Sequence, residues 1–444
     1  MDYKEIAYYI RKRLIEKNVD DVIVGAVNSN AVQAKFTNNK ISIMQNWDSV
    51  DIGVFISLKK KIASTSIKDF SRDRIDKAIE ELIRFVNKTK PNEEFIGIAD
   101  GPFKYKKIEE TYDPKWKDID PIDFVEESIN KALEIGAKRC SGLGEIEYGN
   151  TYLLTSGNVE SKEEATCFDI SIRALCDKYS SGHSYFTSRT FNKFDYLDAA
   201  EEAGTIAKDS LNPETGKSGK YDVVFSPLAF APILNSVGSS ASIFSVESGL
   251  SFFNNLINKK VASDNFNLYD DATLNGGIGS SSFDAEGYPS QRTLIIGDGV
   301  LKNFLHNTST ARRYKTKSTG NAGLISPDPR NLILEEGKYK KEELFNNLKN
   351  GLWITNVWYT RFQNYASGDF STIPRDGIFL INNGEIVKSI KGTRISENMI
   401  NMLKNVNMIS NKAKDIVSWE AETPSRMPFV LVKNVNITKP EKEE

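Results

Sequence analysis

Side chains able to bind a metal or activate water are scarce in this 444-residue sequence, which holds two histidines, His183 and His306, and three cysteines, Cys140, Cys167 and Cys176. The histidines lie too far apart to share one helix or one short hairpin, so no local zinc or catalytic motif forms between them. The cysteines follow no CxxC spacing and cannot all pair, which predicts reduced thiols and a cytoplasmic protein. Cys176 and His183 could meet across a hairpin as nucleophile and base. No third residue is apparent to orient that base, and a buried, inert thiol is the better reading. Asp284 and Glu286, in the string Ser282-Phe283-Asp284-Ala285-Glu286-Gly287, have the residue types of a general acid and base. Carboxylates beside a glycine turn more often cap backbone amides, so both are read as structural cleft or turn residues. Gly276-Gly277-Ile278-Gly279 lacks both a strand-to-helix junction and a following lysine, which leaves a flexible turn and not a phosphate loop.

Three units are expected to position these groups, at residues 1–100, 101–216 and 217–444, in an α+β organisation. In the first, Ile6, Ile10 and Leu14 mark an amphipathic helix, and Ile75, Ile79, Leu82 and Val86 mark a second that Pro91 ends. Alternating apolar residues around Asn38-Asn39 and around the lysines at 59–61 predict two hairpins, asparagine tolerating the positive φ of a tight turn. The second unit has a helix capped by Asp120, with Pro121 in its first turn and Gly136 at its end. Strand-like stretches at 144–148, 151–155, 166–175 and 183–191 follow as a meander, then a helix through Leu197, Ala200 and Ile206. Residues 212–219, rich in Gly, Pro and Ser, read as a loop or linker. In the third unit a strand at 221–225 leads into Ser226 and Pro227, cap and first turn of a long helix. Its middle, Leu234-Asn235-Ser236-Val237-Gly238-Ser239-Ser240, presents small polar side chains.

Lys plus Arg number 58 and Asp plus Glu 60, a net charge of −2 that argues against a nucleic-acid partner. Met1 leads into charged Asp2, Lys4 and Glu5, and no apolar run approaches the roughly 18 residues of a membrane span, so no membrane partner is expected.

The strings 234–240 and 282–287 are followed by Ser318-Thr319-Gly320-Asn321, Gly351-Leu352-Trp353-Ile354-Thr355, Gly368-Asp369-Phe370-Ser371 and an alternating hairpin at 378–386. In this order and spacing they resemble the TldD/PmbA family, also called TldD/TldE, of DNA gyrase modulators and cytoplasmic peptide-processing proteins. The resemblance extends to the 35–40 hairpin, to Thr155-Ser156-Gly157-Asn158 and to the strand at 429–435. It implies a C-terminal domain in which a curved antiparallel sheet carries the long helix.

Catalytic TldD-type members carry a His-Glu-x-x-x-His stretch on that helix and a later cysteine. Imidazoles and a thiolate bind zinc, and the glutamate deprotonates a zinc-bound water. Aligning Leu234 with the residue before the first family histidine puts Asn235 and Ser236 at the His-Glu pair and Ser240 at the second histidine, and no cysteine follows Cys176. The resemblance therefore implies the TldE/PmbA branch: no catalytic or metal-binding residue in this chain, and zinc held by a TldD-type partner subunit. Asn235, Ser236 and Ser240 become degenerate active-site positions, read first as sites of close packing and second as peptide contacts.

The function that follows is that of the non-catalytic subunit of a heterodimeric zinc metallopeptidase acting on unfolded peptides in the cytoplasm, the extended peptide adding to a sheet edge. A peptide-binding or scaffold homodimer without protease activity is the alternative. An independent cysteine-dependent hydrolase, using Cys176 and His183, is a third reading.

Overall fold

α1 (Tyr3–Glu16) buries Ile6, Ile10 and Leu14, the stripe that their spacing predicts. Next come β1 (Asp21–Thr37), β2 (Lys40–Leu58) and β3 (Lys61–Ile67). They turn at Asn38 and Asn39, with φ of 51° and 66°, and at Lys59 and Lys60, with φ of 51° and 62°, the left-handed pairs that a two-residue hairpin needs. α2 (Arg72–Lys88), α3 (Ile122–Ile135), β4 (Arg139–Thr155), β5 (Glu160–Leu175), β6 (Ser181–Ser188) and α4 (Leu197–Asp209) follow in the computed structural model, which describes residues 3–192 and 194–439.

Six strands form an antiparallel sheet in the order β3-β2-β1-β4-β5-β6. Alternation along β1 sends Val22, Val24 and Ala26 toward α1 and α2, and Ala34 and Phe36, further along the same face, toward α3 and α4. The opposite face puts Ile23, Phe55 and Leu153 against Phe283, so the second half of the chain docks there. The stretches 144–148 and 151–155, expected as two strands, are one. Gly149 and Asn150 pair with Ser29 and Asn28 of β1, and a Cβ at Gly149 would lie 2.9 Å from the Asn28 carbonyl oxygen. That glycine permits close strand approach and makes no turn.

The second half contains β7 (Glu214–Thr215), β8 (Gly219–Phe225), α5 (Pro227–Ser240), α6 (Ile243–Glu247), β9 (Leu268–Asp271), β10 (Arg292–Gly297), β11 (Val300–Leu301), α7 (Thr308–Arg313), β12 (Leu332–Leu334) and α8 (Lys341–Asn346). It continues through β13 (Asn350–Asn364), β14 (Asp369–Asn382), β15 (Glu385–Lys391), β16 (Arg394–Asn398), α9 (Met399–Lys404), β17 (Val406–Ser418) and β18 (Ala421–Thr438). All twelve strands join one sheet. Its pairs are antiparallel except β8–β13, β12–β18 and β7–β15. Residues 212–219 are thus no free linker, because Glu214 and Thr215 pair with Ile390 and Lys391. β18 pairs with β8, β8 with β13, β13 with β14, β14 with β16 and β16 again with β18, so the sheet curves until it closes. Among the described residues no helix is long and apolar enough to cross a membrane.

Candidate functional site

Ser226 stands at the N-cap position of α5 and Pro227 in its first turn, but the serine side chain makes no capping bond. The Ser226 hydroxyl accepts the indole N–H of Trp353 at 2.9 Å, fixing the helix start to β13. Leu228, Phe230, Ile233, Leu234 and Val237 are buried in the core of the second sheet. Each such side chain contributes about 1.5–3 kcal/mol. At Gly238 a Cβ would lie 2.5 Å from Leu332 Cδ1, so the glycine brings the helix hard against β12.

Asn235 uses both ends of its amide on β18. Its Nδ2 donates to the Thr423 carbonyl at 3.0 Å and to Ser425 Oγ at 2.9 Å, and its Oδ1 accepts from the Thr423 N–H at 2.9 Å. The side chain thereby reproduces the reciprocal bonding of a strand neighbour. The Ser236 hydroxyl donates to the Pro232 carbonyl one turn back at 3.1 Å. Ser240 is buried, and its carbonyl accepts from Ser251 Oγ at 2.7 Å. An engaged amide and two serine hydroxyls do not fit zinc, which takes thiolate, imidazole or carboxylate ligands. No cluster of three or more His, Cys, Asp or Glu placed to hold a metal exists among the described residues.

Asp284 is buried and accepts three backbone N–H groups, from Glu286 at 3.0 Å, Tyr288 at 2.9 Å and Ala322 at 2.9 Å. Burial still raises its carboxyl to about 6 against those donors. Glu286, also buried, receives one long bond from the Thr308 N–H at 3.3 Å. Burial first, and the charge of Asp284 second, lift it to about 8. Of the pair, Glu286 is the carboxyl pushed further toward its protonated form. Glu286 lines a cavity of about 200 Å³ between the two halves, together with Ile23, Phe55 and Phe95.

Two of the sequence strings, 282–287 and 318–321, meet at a second cavity, of about 370 Å³, lined by Gly279, Ala285, Asn321, Ala322 and, from β18, Thr423. Asp284 holds Ala322 on one side and Asn235 holds Thr423 on the other. Sequence reasoning missed Asp270, a buried carboxylate that gathers this loop by accepting from the Arg330 and Asn331 N–H groups and the Asn321 side chain. Burial raises it to about 6. It sits in no motif; the only signal was Asn321, within a string already singled out.

Cys176 and His183 do not form a dyad. Cys176 joins the core on the helix-covered face of the first sheet, its thiol donating to the Gly136 carbonyl at 3.4 Å. His183 pairs with Arg173 on the opposite face, because side chains alternate along β5 and β6. Burial raises the Cys176 thiol and pulls His183 down to about 4. Arg173 and the Asn356 amide both approach His183 Nδ1, at 3.3 and 3.1 Å, which leaves the proton on Nε2, facing Ser171 Oγ at 3.0 Å. His306 is likewise buried, 3.2 Å from Thr310 Oγ1, with burial lowering it to about 4.

Residues 218–439 match the sequence profile of the PmbA/TldA metallopeptidase C-terminal domain, so the closed sheet and α5 define a domain of that metallopeptidase class. The match spans half of the chain, and the chain belongs to the TldD/PmbA family. A metalloprotease PmbA homologue of Haemophilus influenzae is 25% identical over 404 residues, covering 87% of this chain and 86% of the relative. A metalloprotease TldD homologue of Buchnera aphidicola is 27% identical over 357 residues, 72% of each chain. The crystal structure of TldE from Thermococcus kodakarensis shares the fold, with a TM-score of 0.85 at 19% identity over 98% of this chain and 100% of that one.

Proposed function

We propose that this chain is the non-catalytic, TldE/PmbA-like subunit of a two-subunit zinc metallopeptidase, paired with a TldD-type subunit that holds the metal. Asn235 carries the reading: at the first ligand position of the family helix stands an amide committed to β18, with hydroxyls at the other two positions. The substrate in this reading is an unfolded cytoplasmic peptide, and this chain supplies part of the wall that limits access to the partner's metal.

The test is zinc content and peptide cleavage for the purified chain alone and after mixing with a TldD-type subunit from the same cell. Metal-free, inactive protein that restores cleavage on mixing supports the proposal. Stoichiometric zinc with chelator-sensitive cleavage by the chain alone overturns it, and a stable peptide-binding homodimer that ignores the TldD-type subunit would replace it with the scaffold reading.

A further inference from the structure

The β5–β6 hairpin tip and strands β13 to β15 enclose a cavity of about 420 Å³, apart from α5. Five cations line it, Arg173, Lys178, Arg375, Lys391 and Arg394, against two carboxylates, Asp177 and Asp376. Both carboxylates are already committed. Asp376 takes Arg173 Nε at 3.2 Å, Ser181 Oγ at 2.7 Å and Asn356 Nδ2 at 2.8 Å. Asp177 closes the hairpin tip, accepting the N–H groups of Tyr179 and Ser180 and the Ser180 hydroxyl. Among the described residues, Arg173 is the only one of the five cations in a salt bridge.

The arrangement concentrates positive charge on an otherwise slightly acidic chain. The guanidiniums of Arg173 and Arg375 lie 4.4 and 5.3 Å from the centroid of the same indole, that of Trp358. Two cations on one ring gain from its quadrupole but repel each other, and an oxyanion beside them removes that repulsion. Two polar atoms in the cavity wall point the same way. Thr393 is 3% exposed and its hydroxyl has no partner. Its Cγ2, and not its hydroxyl, packs against Gly216, where a Cβ would come within 2.3 Å. The Trp358 indole N–H is buried without a partner as well. Orphaned donors of this kind cost about 1–3 kcal/mol each.

We propose that this cavity binds an organic carboxylate with an apolar body, namely the free C-terminal carboxylate of a peptide. Arg375 supplies positive charge for the carboxylate, with Lys391, whose Nζ also lies 3.6 Å from the Tyr179 ring centroid, and Arg394, which also donates to Ser371 Oγ at 3.1 Å; Leu175 and Ile373 receive the terminal apolar side chain. An isolated phosphate would use the cations but leave this apolar wall bare. The volume lies within the roughly 300–1,000 Å³ of small-ligand sites. The site does not depend on the subunit reading and stands or falls without it.

The experiment is calorimetric titration of the full chain with N-acetyl-Ala-Ala-Leu as free acid and as amide, with inorganic phosphate as a third arm. Saturable binding of the acid, roughly tenfold weaker for the amide and roughly tenfold weaker in Arg375→Ala, is expected. Lys391→Ala gives a second reading should Arg375→Ala lose its native circular dichroism. Equal binding of acid and amide, absence of saturable binding, or indifference to both substitutions overturns the proposal. Binding of phosphate alone overturns it too and reassigns the cavity to phosphate-bearing ligands.

Discussion

At the scale of single residues, Asn235 and Asp284, whose types or positions suggest catalysis, are each tied into the fold by three hydrogen bonds. Asn235→Ala removes three hydrogen bonds and leaves the Thr423 amide without its partner, a loss of about 2–3 kcal/mol readable in urea unfolding. Glu286 gives the opposite kind of test. Its folded pKa, about 8, is raised above the ordinary 4.5, so the stability it contributes is full below pH 4.5 and is lost as pH rises toward 8. Glu286→Gln should therefore match the wild type near pH 5 and exceed it near pH 8.5 by on the order of 2–4 kcal/mol; equal slopes of stability against pH would contradict the protonated Glu286. That positions 234–240 hold no His, Cys, Asp or Glu is legible in the sequence, because it is a matter of residue type alone. Asn235's bond to Thr423 is not, since the two are 188 positions apart and nothing local at either one announces the other.

At the scale of elements, local chemistry wrote the turns and helix starts plainly. Asn38-Asn39 and Pro227 each meet a backbone requirement within a few residues, whereas the hydroxyl of Ser226, expected to cap α5, serves Trp353 instead. Glycines misled where their reason lay in another strand: Gly149 looks like a break but serves the approach of β4 to β1. Gly238 is the same device in a helix. Alanine there would ordinarily gain up to about 1 kcal/mol of helix propensity, but its Cβ would drive into Leu332, so Gly238→Ala is expected to destabilise by about 1–3 kcal/mol. A double-mutant cycle checks the cause: in Gly238→Ala/Leu332→Ala the two losses should sum to less than their separate values, because the added methyl fills space the leucine vacates.

At the scale of the whole molecule, His183 stands where β6 of the first sheet meets β13 and β14 of the second, within reach of Arg173 and Asn356, with Asp376 bonded to both. Its folded pKa, about 4, is depressed below the ordinary 6.5, so its contribution to stability is present above pH 6.5 and is lost as pH falls through 4. About 3 kcal/mol should disappear across that window, and the protection factors of amides at the β5–β6 hairpin tip should fall below pH 5. Uniform protection down to pH 4 would show that His183 does not govern the junction. The closed ring of the second sheet has a consequence in time. Its first strand, β8, begins at residue 219, while β18, which bonds to β8, β12, β16 and β17, ends at residue 438. A ribosome adding about 5–20 residues per second makes every strand of the first sheet before β8. The second sheet must then wait, apolar strands exposed, until its final strand emerges. During synthesis the two halves therefore face unequal hazards, and the half that carries the family's helix is the one that depends on protection from aggregation.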